Sequence, residues 1–146
     1  MRESITIFQS ISDSLDEATR LDAIIIDFSK AFDLVPHDRL LKKIAASGVD
    51  SRVVVWIREF LTDRSQRVSV GRHYSEEVRV TSGVPQGSVL GPLLFLAYVN
   101  DIWRDTESKI RLFVDDCIIY MKILNIKDVE KLQTDLDRVG DWAEEN

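Results

Sequence analysis

Two adjacent aspartates, Asp115 and Asp116, lie between two runs of residues that favour β-strands. Apolar residues alternate with other residues over 110–114, and a continuous run of β-forming residues follows at 118–120. This pattern predicts a β-hairpin over about 109–122 with both aspartates at its tip. The apolar strands of such a hairpin need a core to cover them. The rest of the chain must therefore fold around this hairpin and the acidic pair at its tip.

The acidic pair has two interpretations. Aspartate is common in turns, so the pair could be an exposed turn without chemistry. If the strands instead press the pair against a core, two neighbouring carboxylates repel each other and lose hydration. A cation bound between the hairpin tip and another carboxylate would relieve both costs.

A further acid follows another apolar run. The four consecutive apolar residues at 23–26 predict a buried strand that ends at Asp27. The alternative for Asp27 is a helix N-cap or a turn. If this strand and the predicted hairpin lie side by side in one sheet, Asp27 and the aspartate pair meet at one edge of that sheet.

Carboxylates at two strand ends indicate a class of metal. Three carboxylates without a His/Cys cluster favour the hard cations Mg²⁺ and Mn²⁺ over zinc. Two such ions about 3.5–4 Å apart can activate a 3′-hydroxyl and stabilise a leaving pyrophosphate. The residues therefore fit nucleotidyl transfer, although their spacing equally allows a nuclease.

Helical periodicity accounts for much of the remaining chain. It predicts five helices, over 5–19, 36–45, 50–61, 93–103 and 125–142. Between the third and the fourth, period-two alternation over 67–71 and 77–80 predicts a second hairpin. This hairpin is the most basic part of the chain, which fits either a solvated strand face or contact with a phosphate backbone.

Composition excludes several classes of protein. The chain has 146 residues and a net charge of −6, which argues against a nucleic-acid binder that works through a basic face alone. Its apolar runs are too short to span a bilayer. The single cysteine, Cys117, excludes an internal disulfide and suits a reducing, intracellular compartment. We expect Cys117 to be a small buried hydrophobic residue.

Four ordered blocks carry a resemblance to a known family. They read DFSKAFD at 27–33 with VPHDRL at 35–40, then WIREFLTDR at 56–64, TSGVPQGSVLGP at 81–92 and FVDD at 113–116. In this order and spacing, they resemble the reverse transcriptase domain of non-LTR (LINE-type) retrotransposons over nearly the whole chain.

The resemblance implies a fold, an activity and ligands. The fold would be α+β, a polymerase palm with helices packed on an antiparallel sheet plus an accessory hairpin, forming one domain over 1–146. The activity would be RNA-directed DNA polymerisation with two Mg²⁺ or Mn²⁺ ions. The partners would be an RNA template, a DNA primer and deoxynucleoside triphosphates, with no membrane.

The resemblance also implies roles for the acids and one aromatic residue. Asp27 and Asp115 would be the main metal ligands, and Asp116 would support them. Phe32 would lie under the incoming sugar and exclude a 2′-hydroxyl. The glycine-rich block, for which hydrolysis has no evident use, and Phe32 disfavour the nuclease alternative.

Other site residues follow from the second block and from the basic side chains. Gln86 and Gly87 would lie along the nucleotide and template. Lys30, Arg64 and Arg67 are candidates for contacts to phosphate or to the nucleic-acid backbone.

The remaining expectations concern Asp33, Val114 and the segments of a polymerase that these 146 residues would not include. Asp33 would cap the helix that begins near Pro36, and Val114 stands where the family commonly has Ala. Upstream fingers motifs and the downstream thumb would lie outside these 146 residues, so we expect the chain alone to polymerise poorly. The alternative function is a catalytically inactive remnant that serves as a folded binding module.

Overall fold

The computed structural model describes residues 11–13, 17, 19–28, 30–104, 106–113 and 116–146. Within these ranges the chain is α+β, as predicted, with helices and antiparallel sheets. It divides into two compact units, one formed by Met1–Ser29 with Asp101–Asn146 and the other by Lys30–Asn100. Residues 11–13 are helical, whereas the rest of the helix predicted over 5–19 falls mostly outside the described residues, as do Val114 and Asp115.

The elements follow in chain order: β1 (Arg20–Asp27), α1 (Ala31–Leu34), α2 (His37–Ala46), α3 (Ser51–Leu61), β2 (Ser65–Gln66), β3 (Ser69–Val70), β4 (His73–Tyr74), β5 (Val78–Arg79), α4 (Leu90–Val99), β6 (Lys109–Phe113), β7 (Asp116–Ile123) and α5 (Ile126–Glu145).

The first unit is built on a three-stranded antiparallel sheet in the order β1-β7-β6. β6 and β7 form the predicted hairpin, and their ladder runs from Lys109 opposite Tyr120 to Phe113 opposite Asp116. Asp116 is therefore the first residue of β7 and not a residue of the turn. The hairpin lies beside β1, so the condition under which Asp27 and the aspartate pair would meet at one edge of a sheet is fulfilled.

The prediction that β1 is a buried strand is wrong. No residue of β1 is buried, and Ile25 is 70% exposed. Within the described residues, β1 pairs with β7 alone, so it is an edge strand. Its side chains alternate between the two faces of the sheet, and exposed Ile25 and Asp27 share one face while the partly buried Ile24 and Ile26 share the other.

The helix α5 packs on the sheet through β7. Asn125 caps this helix: its side chain accepts a hydrogen bond from the Lys127 amide at 2.9 Å, and Asp128 completes a capping box. Leu132 and Val139 on one side of the helix are buried, as the helical periodicity over 125–142 predicts.

An aromatic contact joins α5 to the residue that follows β1. The Phe28 ring meets Trp142 of α5 edge-on, with centroids 6.3 Å apart. Cys117 and Ile119, on the face of β7 opposite Asp116, are fully buried. Asp27 and Asp116 project from the face of the sheet that also carries the exposed Ile25.

Cys117 is buried as predicted. Burial raises the pKa of its thiol to about 11, because the thiolate would lose its hydration. The thiol therefore stays protonated near neutral pH, as expected of a small hydrophobic core residue. Among the described residues, no helix is long and apolar enough to cross a membrane.

A buried carboxylate ties α5 to the chain just before β6. Asp135 is 1% exposed, and its Oδ2 accepts hydrogen bonds from the backbone amides of Glu107 at 3.0 Å and Ser108 at 2.7 Å. Its Oδ1 accepts a hydrogen bond from the Arg138 guanidinium at 3.1 Å. We expect Asp135→Ala to lower the free energy of unfolding by about 3 kcal/mol, because buried amide donors lose a charged acceptor.

Asp137 is the matched control for this prediction. It lies two residues further along the same helix, is exposed, and accepts a hydrogen bond from the Gln133 side chain. We expect Asp137→Ala to change the free energy of unfolding by about 0.5 kcal/mol or less. Denaturant unfolding of both variants measures the two effects, and equal losses would contradict the role of Asp135.

The second unit is built on three helices, with α2 packed against both α3 and α4. Their buried residues include Leu40 of α2, Ile57 and Leu61 of α3, and Phe95 of α4. α2 starts after Pro36, as predicted, and Asp50 caps α3 by accepting a hydrogen bond from the Arg52 amide at 2.8 Å. α4 begins and ends earlier than the predicted 93–103.

The accessory hairpin consists of two short antiparallel ladders, one nested inside the other. β2 pairs with β5, and β3 pairs with β4 around the turn at Gly71 and Arg72. A hairpin is present as predicted, but its pairing differs: the segment predicted over 67–71 pairs with His73–Tyr74, and the one predicted over 77–80 pairs with Ser65–Gln66. Every residue from Ser65 to Arg79 is exposed, so this hairpin contributes little to a core.

Candidate functional site

The end of the β1–β7 ladder brings two acids together. Asp27, the last residue of β1, is the direct cross-strand partner of Asp116, the first residue of β7. Directly opposed residues in an antiparallel ladder project from the same face, with Cβ atoms about 4.5–5.5 Å apart. The prediction that these acids meet at one edge of a sheet is thus confirmed for Asp27 and Asp116. Asp115 immediately precedes Asp116 and lies outside the described residues.

Like charges at this position are unfavourable as they stand. Directly opposed carboxylates repel each other. Asp27 is exposed and Asp116 is partly exposed. Within the described ranges, neither carboxylate makes a salt bridge or a side-chain hydrogen bond. A divalent cation is the simplest group that would offset this repulsion, since carboxylate oxygens are preferred ligands of Mg²⁺ and Mn²⁺.

Two of the three predicted metal ligands, Asp27 and Asp116, are among the described residues. The described residues contain no group of three or more His, Cys, Asp or Glu side chains arranged to hold a metal ion. The predicted set needs Asp115 as its third member, and Asp115 is not among those residues. The donor pair that is described, Asp27 and Asp116, fits a hard cation.

In the second unit, hydrogen bonds join the first sequence block to the second. The Val84 amide donates to the Phe32 carbonyl at 2.7 Å, and the Gly83 amide donates to the Val35 carbonyl at 2.8 Å. The Ser82 hydroxyl donates to the Asp33 carbonyl at 2.9 Å. We call this arrangement of residues 32–37 and 82–86 the clasp.

Two further contacts complete the clasp. His37 Nε2 lies 2.8 Å from the Gly83 carbonyl oxygen, and because a carbonyl only accepts, Nε2 carries the proton. Gly83 also has no room for a side chain, since a Cβ atom there would lie 2.6 Å from the Asp33 carbonyl oxygen. The two blocks, far apart in sequence, therefore form one rigid local structure.

The predicted nucleotide-binding residues lie on or beside the clasp. The half-buried Phe32 ring stacks on Phe95, with centroids 4.6 Å apart and planes inclined by 28°. The exposed Gln86 side chain donates from Nε2 to Asp33 Oδ1 at 3.0 Å. Gly87 follows and is exposed.

The predicted basic contacts separate into two groups. Lys30 and Arg64 line a groove of about 680 Å³ beside the clasp, together with Asp33, Ser82 and Gln86. Arg67 does not line this groove, and its guanidinium stacks over the exposed Tyr74 ring, 4.7 Å from the centroid. The Arg64 guanidinium lies 5.5 Å from the centroid of the Phe60 ring.

The expectation that Asp33 caps the helix near Pro36 is wrong. The N-cap residue of α2 is Pro36, and no side chain caps the helix. The Asp33 carboxylate instead faces Gln86. Sequence reasoning also missed His37 and Ser82, because their partners in the clasp lie more than forty residues away and no local pattern singles them out.

Comparison with known proteins identifies the family. Residues 4–146 match the family model described as reverse transcriptase (RNA-dependent DNA polymerase). The chain is 33% identical over 128 residues to the RNA-directed DNA polymerase from mobile element jockey of Drosophila melanogaster. The aligned region covers 82% of this chain and 14% of that protein. It is 29% identical over 143 residues to the probable RNA-directed DNA polymerase from transposon X-element of the same species. This alignment covers 94% of this chain and 16% of that protein.

A third relative is the Pol polyprotein from type-1 retrotransposable element R2 of Popillia japonica, 30% identical over 81 residues, or 56% of this chain and 13% of that protein. The chain thus spans less than one fifth of the length of each of these relatives. These matches confirm the resemblance to non-LTR retrotransposon proteins. The chain belongs to the reverse transcriptase (RNA-dependent DNA polymerase) family.

Proposed function

We propose that this chain is the palm of an RNA-directed DNA polymerase. The reaction is nucleotidyl transfer, in which the primer 3′-hydroxyl oxygen bonds to the α-phosphorus of a deoxynucleoside triphosphate. The bond between the α- and β-phosphates breaks, and pyrophosphate leaves. The single observation that carries the proposal is the pairing of Asp27 with Asp116 at one end of an antiparallel ladder, next in sequence to Asp115.

The acids would hold two divalent ions, Mg²⁺ or Mn²⁺. Asp27 and Asp115 are the proposed main ligands, with Asp116 in support. When bound, such ions lower the pKa of the attacking hydroxyl and offset the charge on the leaving group. The mutual repulsion of Asp27 and Asp116 supports this assignment, since a cation offsets it.

The clasp carries the proposed nucleotide-binding residues. Phe32 would contact the sugar and exclude a 2′-hydroxyl, and its stacking on Phe95 supports a fixed ring position. Gln86 and Gly87 would lie along the incoming nucleotide and the template. The RNA template would reach basic side chains including Lys30, Arg64 and Arg67, and flanking fingers and thumb segments would hold the primer–template duplex.

Polymerase activity tests the proposal directly. With the flanking segments of its parent protein present, we expect the protein to extend a DNA primer on an RNA template with Mn²⁺ or Mg²⁺. Asp115→Asn should abolish extension, because a neutral amide is a weaker ligand for a hard cation. A wild-type protein that is folded but inactive would favour the alternative, a catalytically inactive binding module.

Metal binding tests the acid cluster in the 146-residue chain itself. We expect Mn²⁺ to broaden the NMR resonances of Asp27 and Asp116 selectively, because a paramagnetic ion relaxes nearby nuclei. The exposed acids Glu144 and Glu145 at the end of α5 serve as an internal control for weak binding to any acidic pair. Equal broadening at both places would contradict a specific site.

A further inference from the structure

The Asp33 carboxylate fixes the orientation of the Gln86 side-chain amide. Asp33 Oδ1 lies 3.0 Å from Gln86 Nε2. A carboxylate offers only acceptors, so the nitrogen of the amide faces Asp33. The carbonyl oxygen of Gln86 is then directed elsewhere, as an acceptor that an exposed side chain presents to a ligand.

Among the residues that the structure describes, Asp33 is the hydrogen-bond partner that selects this orientation. The Gln86 side chain is exposed, and an exposed glutamine samples several rotamers and both orientations of its amide. A hydrogen bond to a charged acceptor is stronger than one to a neutral acceptor, so Asp33 biases this ensemble toward one member.

The clasp makes Asp33 a firm anchor. Its own carbonyl oxygen accepts the Ser82 hydroxyl, and its neighbour Phe32 accepts the Val84 amide. Gly83 packs against the Asp33 backbone more closely than any other residue type could. The loop that carries Gln86 is therefore bonded to the same short segment whose carboxylate holds the Gln86 amide.

We propose that Asp33 is a positioning residue that directs the carbonyl oxygen of Gln86 toward a hydrogen-bond donor of the incoming nucleotide. This inference rests on the proposed function, since it takes Gln86 to be a nucleotide contact. In this role Asp33 is not itself a nucleotide ligand. Its effect passes through Gln86 and appears in nucleotide binding more than in the chemical step.

The contact can be tested without any nucleotide. In the 146-residue chain we expect Asp33→Ala to move the NMR resonances of the Gln86 side-chain amide group, because one of its protons loses a carboxylate acceptor. Asp38→Ala is the matched control, since Asp38 is an exposed acid in the first turn of α2 and takes no part in the clasp. Unchanged Gln86 resonances in Asp33→Ala would overturn the inference.

The positioning role can be tested in the parent polymerase by a double-mutant cycle. We expect Asp33→Ala to raise the KM for deoxynucleoside triphosphates about threefold to tenfold, the effect of one exposed hydrogen bond, with little change in kcat. In a Gln86→Ala background the same substitution should have no further effect. A merely structural role would give additive effects, and that result would overturn the proposal.

A conservative variant separates loss of the contact from loss of the fold. Asp33→Asn retains the shape of the side chain but replaces the charged, acceptor-only carboxylate by a neutral amide that also donates, so we expect a KM between those of the wild type and of Asp33→Ala. A KM raised as much by Asn as by Ala would count against positioning through this hydrogen bond. A folded wild-type polymerase without activity would overturn the proposed function, whereas the NMR comparison would still decide whether Asp33 holds Gln86.

Discussion

If the proposed function is correct, replacing Asp27 by Asn should lower the rate of primer extension by about a thousandfold. Stabilisation by bound metal ions is worth several kcal/mol in the transition state, and each 1.36 kcal/mol is a factor of ten in rate. The same substitution should not lower the free energy of unfolding. Asp27 is exposed at the end of β1 and opposes Asp116, so its neutralisation removes a repulsion from the folded state.

Asp22 is the matched control on the same strand. It projects from the opposite face of β1 and pairs with Arg20 at 2.6 Å. We expect Asp22→Asn to keep primer extension within about twofold of the wild type, since it lies on the face away from the acid pair. Steady-state extension rates and thermal unfolding of both variants test the prediction, and a loss of stability in Asp27→Asn would contradict it.

The second large effect is on stability, at Gly83. Its φ angle is +87°, a backbone conformation that side chains disfavour, and a Cβ atom would lie 2.6 Å from the Asp33 carbonyl oxygen. We expect Gly83→Ala to lower the free energy of unfolding by about 3–5 kcal/mol, because a conformational cost adds to a steric clash with backbone.

Gly48 separates these two costs. It has a nearly equal φ of +82°, but nothing lies within 4 Å of a Cβ atom there. Gly48→Ala should therefore cost only the conformational part, about 1–2 kcal/mol. Denaturant unfolding of the two variants gives the difference, which measures the close approach of the two blocks, and equal losses would show that the clasp is looser than described.

Local features of this fold could be predicted from the sequence because their causes are local. Asp50 and Asn125 cap helices that begin at the next residue, and each bonds an amide two residues ahead. The alternation over 109–122 likewise identified the β6–β7 hairpin, since both strands belong to one short segment. Four consecutive apolar residues in β1 were misleading, because burial depends on which neighbours cover a strand and not on its composition.

Long-range polar contacts were beyond sequence reasoning. Asp33 is of a residue type that commonly caps helices, but its side chain accepts a hydrogen bond from Gln86, which lies 53 residues away. Asp135 looks like an ordinary acid on a solvated helix, yet it is buried and holds amides 27 and 28 residues away. An isolated acid carries no sign of which distant donor it will meet.

The sequence by itself determined that this chain has acids at the ends of two β-segments and a glycine-rich block between them, because residue type and spacing set local conformation. Only the tertiary structure decided that Asp27 stands opposite Asp116 and that Gly83 rests on Asp33. Strand register and loop packing bring together segments that are distant in the chain. Backbone hydrogen bonds stabilise these contacts and excluded volume restricts which residues fit them, and both act only once the segments have met.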